Sequence, residues 1–203
     1  MTNYPTNVSD SGWEIISKYL DTEQNRKYDL REIVNGILYV VKTGCQWGML
    51  PGDFAPCKTI YYYFSKWKKG EVFEVIHESL VEKVRVMKGR KEEPTVGIID
   101  AQSVKNTLVS SQDKGFDAGK KIKGIKRHII VDTPGLILAV VIQSASVQDR
   151  DGAVDVVKKL CESWKKVVKI FADGAYRGQL INTIKTQFKI KLAIIIRRII
   201  FPF

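Results

Sequence analysis

Histidine and cysteine are both scarce in this chain of 203 residues, which has two of the first and three of the second. Cys45, Cys57 and Cys161 form an odd, widely spaced set without a C-x-x-C pair. That argues against a disulfide scaffold and a cysteine–histidine zinc site, and it fits a reducing, cytoplasmic compartment. No apolar run of about 18 residues occurs, so no membrane span or membrane partner is expected. Met1 to Asp10 is polar and lacks the apolar centre of a signal peptide. Repeats and low-complexity tracts are also missing.

Acidic residues are in short supply relative to basic ones. Thirty-three Lys and Arg stand against 22 Asp and Glu, a formal charge of +11. The excess is concentrated after residue 90, where 20 basic side chains face 11 acidic ones, against 13 and 11 before it. Polyanions are therefore the first partners to consider, and the second half is where one should dock. With 44% hydrophobic residues the chain can bury a core, which excludes disorder throughout.

The first 90 residues carry helical periodicity. Trp13, Ile16 and Leu20 form a short apolar stripe. Asp29 with Glu32 resembles a capping box, followed by Leu30, Ile33, Val34, Ile37, Leu38 and Val41 until Gly44 ends the run. A third helix is expected over Thr59 to Lys69, crowded with aromatic residues, and a fourth over Val72 to Val86. The Gly44 to Pro56 loop between the second and third suits a helix-turn-helix-like bundle. Lys66, Lys68 and Lys69 end the third helix, where they fit phosphate contact or compensation of the helix dipole.

Gly89 to Pro94 is a charged, non-periodic joint and the expected domain boundary, giving a helical domain over 1–90 and a second domain over 91–203. Strand patterning begins there. Val96 to Ile99, His128 to Val131 and Leu136 to Ile142 are β-branched or apolar runs, the last two joined as a hairpin through Asp132 to Gly135. A helix from Asp149 or Asp151, a strand over Val167 to Ala172, a helix over Gln179 to Phe188 and a strand over Lys191 to Ile196 follow. The order β-β-β-α-β-α-β describes a mixed α/β sheet.

Asp100 directly follows Gly97-Ile98-Ile99, and Asp173 directly follows Ile170-Phe171-Ala172. Two carboxylates at the ends of strands that can be neighbours would supply hard oxygen ligands to one divalent ion, the donor type magnesium prefers. Phosphoryl transfer on DNA uses such carboxylate-held ions. Between the two acids, Lys120, Lys121, Lys123, Lys126 and Arg127 fall within eight residues, with Gly124 among them. This run is expected as a loop contacting a nucleic-acid backbone, its binding weakening steeply with salt. His77 and His128 have no metal-ligand spacing, and Glu162 on the crossover helix is expected as a solvated side chain.

Gln46-Trp47, Met49-Leu50-Pro51 and Thr59 to Phe64 with Trp67 resemble the N-terminal region of bacterial insertion-sequence transposases of the insertion sequence five family. The order continues with Ile99 to Lys105, Asp117 to Lys121, Lys126-Arg127-His128, Val147 to Ala153 and Ala172 to Tyr176. The resemblance implies a ribonuclease-H-like catalytic domain of the DDE type, with Asp100 and Asp173 as its first two acids. It further implies Mg2+ (Mn2+ possible) as cofactor. The implied partner is double-stranded DNA, both the element's terminal inverted repeats and the target. A homo-oligomer and a nucleoid-associated location are implied as well.

The family's third acid is a glutamate on a helix beyond the last strand, yet residues 174–203 contain no Asp or Glu. The catalytic domain is therefore expected to be incomplete. Three functions stay open: a transposase that cuts and joins DNA, a non-catalytic DNA-binding remnant or inhibitor of an intact transposase, and a nuclease of similar fold that cuts but never joins ends.

Overall fold

The computed structural model describes residues 4–20, 26–105 and 114–195, and the chain divides into two compact units between Leu80 and Val81. The division falls inside a helix, ahead of the charged joint at Gly89 to Pro94. Val81 already belongs to the core of the second unit, and Arg85, six per cent exposed, pairs there with Asp132. The boundary is set by what the helix buries on each side, which composition does not reveal.

The first unit is helical: α1 (Asp10–Ile16), α2 (Leu30–Thr43), α3 (Cys57–Lys69) and the start of α4 (Val72–Met87). The Asp29 carboxylate accepts from the Arg31 N–H and starts α2, which ends at Gly44 in the left-handed conformation glycine tolerates. Ile33, Val34 and Ile37 of α2 pack with Ile60 and Trp67 of α3. The helices meet closely at Gly36, where an added Cβ would lie 2.5 Å from Ile60. The aromatic run on α3 is split by the helical period: Trp67 is buried, while Tyr61 and Tyr62 are exposed.

The second unit is a mixed sheet of β1 (Val96–Lys105), β2 (Gly115–Asp117), β3 (Ile122–Val131), β4 (Ile137–Ser144), β5 (Lys169–Ala172) and β6 (Lys191–Ile194), with α5 (Asp149–Ser163) and α6 (Leu180–Phe188). β3 is central to an antiparallel group, pairing with β1 on one edge and with β2 and β4 on the other. β5 runs parallel to β1, and β6 parallel to β5. Each parallel strand returns through a crossover helix, α5 or α6, as parallel pairing requires. This is an α/β fold consistent with the ribonuclease-H-like expectation. Leu160, Ile170 and Ile184 are buried in the core with Ile99 and Ile130.

Three sequence expectations are corrected. β1 does not stop at Ile99 but continues to Lys105, so Asp100 lies within a strand. The basic run is not a loop: from Ile122 onward it belongs to β3. The short strand β2 was not expected; it is held against β3 by a turn in which Lys121 adopts φ 54°. The last expected strand ends at Ile194, and Ile196 lies outside the described residues.

Candidate active site

The parallel register between β1 and β5 aligns Val96 with Lys169, Gly97 with Ile170 and Ile98 with Phe171. Asp100 and Asp173 each stand two residues beyond the last of these pairs, and the backbone of Asp173 remains extended. Strand alternation therefore places both carboxylates level, on the same face of the sheet. Both residues are exposed. Asp173 accepts from the Ala175 N–H at 2.8 Å, which starts the tight turn Gly174–Tyr176. Asp100 accepts from the Ala101 N–H at 2.8 Å.

The same alternation divides the basic run of β3. Asp100 is opposite Ile129 and Gln102 is opposite Arg127, so Lys123 and Arg127 share the face of Asp100. Both are exposed, as are Lys120 and Lys121 in the preceding turn. The Lys120 ammonium donates to the Ala101 carbonyl at 2.7 Å. Lys126 faces the other way, beneath the start of α5, and is 4% exposed. Its expected role as a backbone contact is corrected on that ground, because no phosphate can reach it.

Lys126 instead holds together three segments. Its ammonium lies 2.8 Å from Asp149 at the start of α5 and 3.2 Å from Asp117 at the end of β2. Burial alone would depress its pKa, but hydrogen bonds to Asp149 and Asp117 outweigh that and leave it raised. The Ser103 hydroxyl donates to Asp117 at 2.5 Å, and the Lys120 N–H donates to the same carboxylate at 3.0 Å. The Ser103 hydrogen bond first, then the Lys120 amide and the Lys126 ammonium, hold the Asp117 carboxyl well below the usual carboxylate range. Sequence reasoning missed Asp117, Ser103 and Asp149 because their partners come from separate strands.

Tyr176 and His128 complete the surroundings of this network. Tyr176 is buried in the core, and burial followed by the charges of Asp149, Asp100 and Asp173 pushes its phenol well above the usual range. His128 is fully buried on β3, its ring packed against Gly152 of α5, and burial lowers its pKa.

Asp100 and Asp173 fit a divalent ion as far as two ligands can. They are exposed carboxylates on one sheet face, and magnesium commonly takes one or two carboxylates and completes its shell with water and phosphate oxygens. No group of three or more His, Cys, Asp or Glu able to hold a metal occurs among the described residues. Glu162 is exposed and faces Lys159, as a solvated side chain should.

In the helical unit, Lys66, Lys68 and Lys69 are all exposed in the last turn of α3. α3 contains four lysines and no acidic residue, and Lys58 shares its solvent side with Tyr61 and Tyr62.

No helix among the described residues is long and apolar enough to cross a membrane. No curated protein matches the sequence. The Drosophila P element transposase strand transfer complex is a similar solved structure, with a TM-score of 0.33 at 13% identity; the match covers 93% of this chain and 45% of that one. Residues 8–77 match the family described as "Putative transposase of IS4/5 family", and residues 91–199 match the family described as "Transposase DDE domain". Since the second match alone spans more than half of the sequence, the chain belongs to the DDE transposase family.

Proposed function

We propose that this chain is the DNA-cleaving and strand-transferring protein of an insertion element, using Mg2+ or Mn2+ held by Asp100 and Asp173. The observation that carries this is the register that sets the two carboxylates level on neighbouring parallel strands, on an exposed face. A divalent ion held there supplies the positive charge that polarises a scissile phosphate and acidifies the attacking water. Lys123 and Arg127, on the same face, bind and orient the DNA backbone, with Lys120 and Lys121 at its edge. Lys66, Lys68 and Lys69 contact phosphates from the helical unit. The nucleophile is water at the element end and then the freed 3′ hydroxyl at the target, so no side chain becomes covalently attached. The partners are the element's terminal inverted repeats and target DNA, bound by a homo-oligomer in the cytoplasm at the nucleoid.

The test is nicking of an element-end duplex with Mg2+ or Mn2+. Cutting by the purified chain that Asp100→Asn and Asp173→Asn abolish supports the proposal. A second reading is favoured by the lack of a three-ligand group among the described residues: a DNA-binding protein without catalysis, competing with an intact transposase. It requires salt-sensitive binding of the element ends with no cleavage in either metal.

A further inference from the structure

The solvent face of α3 is aromatic at its centre and cationic around it. Lys58, Tyr61, Tyr62, Ser65, Lys66 and Lys69 recur at intervals of three and four residues, so they line one side of the helix. Ile60 and Trp67 occupy the opposite side, in the core shared with α2. Tyr61 is 50% exposed and Tyr62 60%, so burial does not account for them. Both rings are nonetheless held. Tyr61 meets Trp47 edge-on with centroids 5.3 Å apart, and Trp47 lies 5.1 Å from Phe64. Tyr62 meets Tyr63 edge-on at 5.4 Å, and Tyr63 contacts Trp67 at 5.3 Å. Trp47, Tyr63 and Phe64 are packed against the core, so the two exposed rings lose little freedom on binding.

The surrounding charge selects the occupant. Aromatic side chains are enriched at protein–protein interfaces but lysine is depleted there, and two copies meeting through this face would bring like charges together. α3 carries Lys58, Lys66, Lys68 and Lys69 and no Asp or Glu. Duplex DNA fits this pattern: its major groove admits an α-helix and displays thymine methyls and base-edge donors and acceptors between two rows of phosphates. We infer that α3 is the base-reading helix of this chain. Tyr61, Tyr62 and Ser65 touch base edges in the major groove of the element end and determine which sequence is bound, while the lysines around them take the flanking phosphates. The tyrosine rings cover thymine methyls, and the Tyr and Ser hydroxyls donate to or accept from base edges. The inference rests on the DNA-binding part of the proposed function and not on its metal chemistry.

The experiment measures binding of the full chain, by fluorescence anisotropy, to a duplex carrying the element's terminal inverted repeat and to a shuffled duplex of the same composition. Wild type should prefer the first by about tenfold or more. Tyr61→Ala combined with Tyr62→Ala should lower that preference by about tenfold, leaving the affinity for the shuffled duplex and the salt slope as in wild type. Replacing Lys66, Lys68 and Lys69 with alanine should instead weaken binding to both duplexes alike. The inference is overturned, and DNA binding stands, if wild type shows no preference, if the tyrosine variant keeps the wild-type preference, or if it weakens both duplexes equally. A tyrosine variant that keeps its preference but changes oligomeric state in sedimentation assigns the face to a second copy, which also overturns the inference. If wild type binds neither duplex at low salt, the DNA-binding reading falls and the inference with it. Should the tyrosine variant fail to fold, wild type alone decides, with 5-iodouracil replacing thymine in the element end. Ultraviolet crosslinks mapped to Tyr61 or Tyr62 support the inference, and crosslinks only elsewhere, or none, overturn it.

Discussion

The ammonium of Lys126 and the carboxylate of Asp149 meet at 2.8 Å, with side-chain exposures of 5% and 25%. The pair ties β3 to the first residue of α5, and Asp117 joins it from β2. Removing one partner of a buried ion pair leaves the other charge desolvated, at a cost of about 3 to 5 kcal/mol. Because Asp149 keeps some access to water, Lys126→Met should destabilise the second unit by about 3 kcal/mol in urea unfolding. The same substitution should leave the salt slope of DNA binding unchanged, which separates Lys126 from its exposed neighbours.

Ser103→Ala tests the depressed Asp117 carboxyl. A group whose folded pKa lies below its unfolded value contributes stability that is fully present above the unfolded pKa, about 3.9 for Asp. That contribution is lost as pH falls from there towards the lower, folded value. The Ser103 hydrogen bond is the largest cause of the depression, so its removal should raise the Asp117 pKa towards normal. Acid unfolding followed by circular dichroism should then have its midpoint at higher pH than wild type, with the stability gap between the two proteins closing only as pH falls from the ordinary carboxylate range towards the depressed wild-type value.

Gly152→Ala reverses the usual helix rule. Alanine in a helix interior normally gains about 1 kcal/mol over glycine. Here a Cβ would stand 2.2 Å from two atoms of the His128 ring, which is fully buried on β3. Overpacking of this kind costs about 1 to 3 kcal/mol, so the variant should melt below wild type in a thermal scan.

Salt dependence counts the phosphate contacts. Each contact with duplex DNA contributes about 0.9 to the slope of log K against log salt. Replacing Lys66, Lys68 and Lys69 together with alanine should lower that slope by about 2 to 3, measured by fluorescence anisotropy between low and moderate salt. An unchanged slope would assign the three lysines to the helix dipole alone.

Much of this protein was readable along the chain, because the informative patterns are local. The α2 limits follow from Asp29, the apolar period and Gly44, all within one helix's length. The two site acids stood out because each directly follows an apolar strand segment, which needs no knowledge of the fold. The basic run shows where that ends: Lys123, Lys126 and Arg127 look alike in sequence, and the number of lysines does not reveal a strand.

What the sequence determined by itself was the helices, the order of the main strands and the two aspartates that follow apolar strand segments. What only the tertiary structure decided was facing. A strand turns its side chains alternately to opposite faces, so one residue of offset separates Arg127, on the face of Asp100 and open to solvent, from Lys126, buried under α5. Likewise the partners of Asp117 and Asp149 are fixed by strand register and crossover, contacts between distant segments that no local pattern encodes.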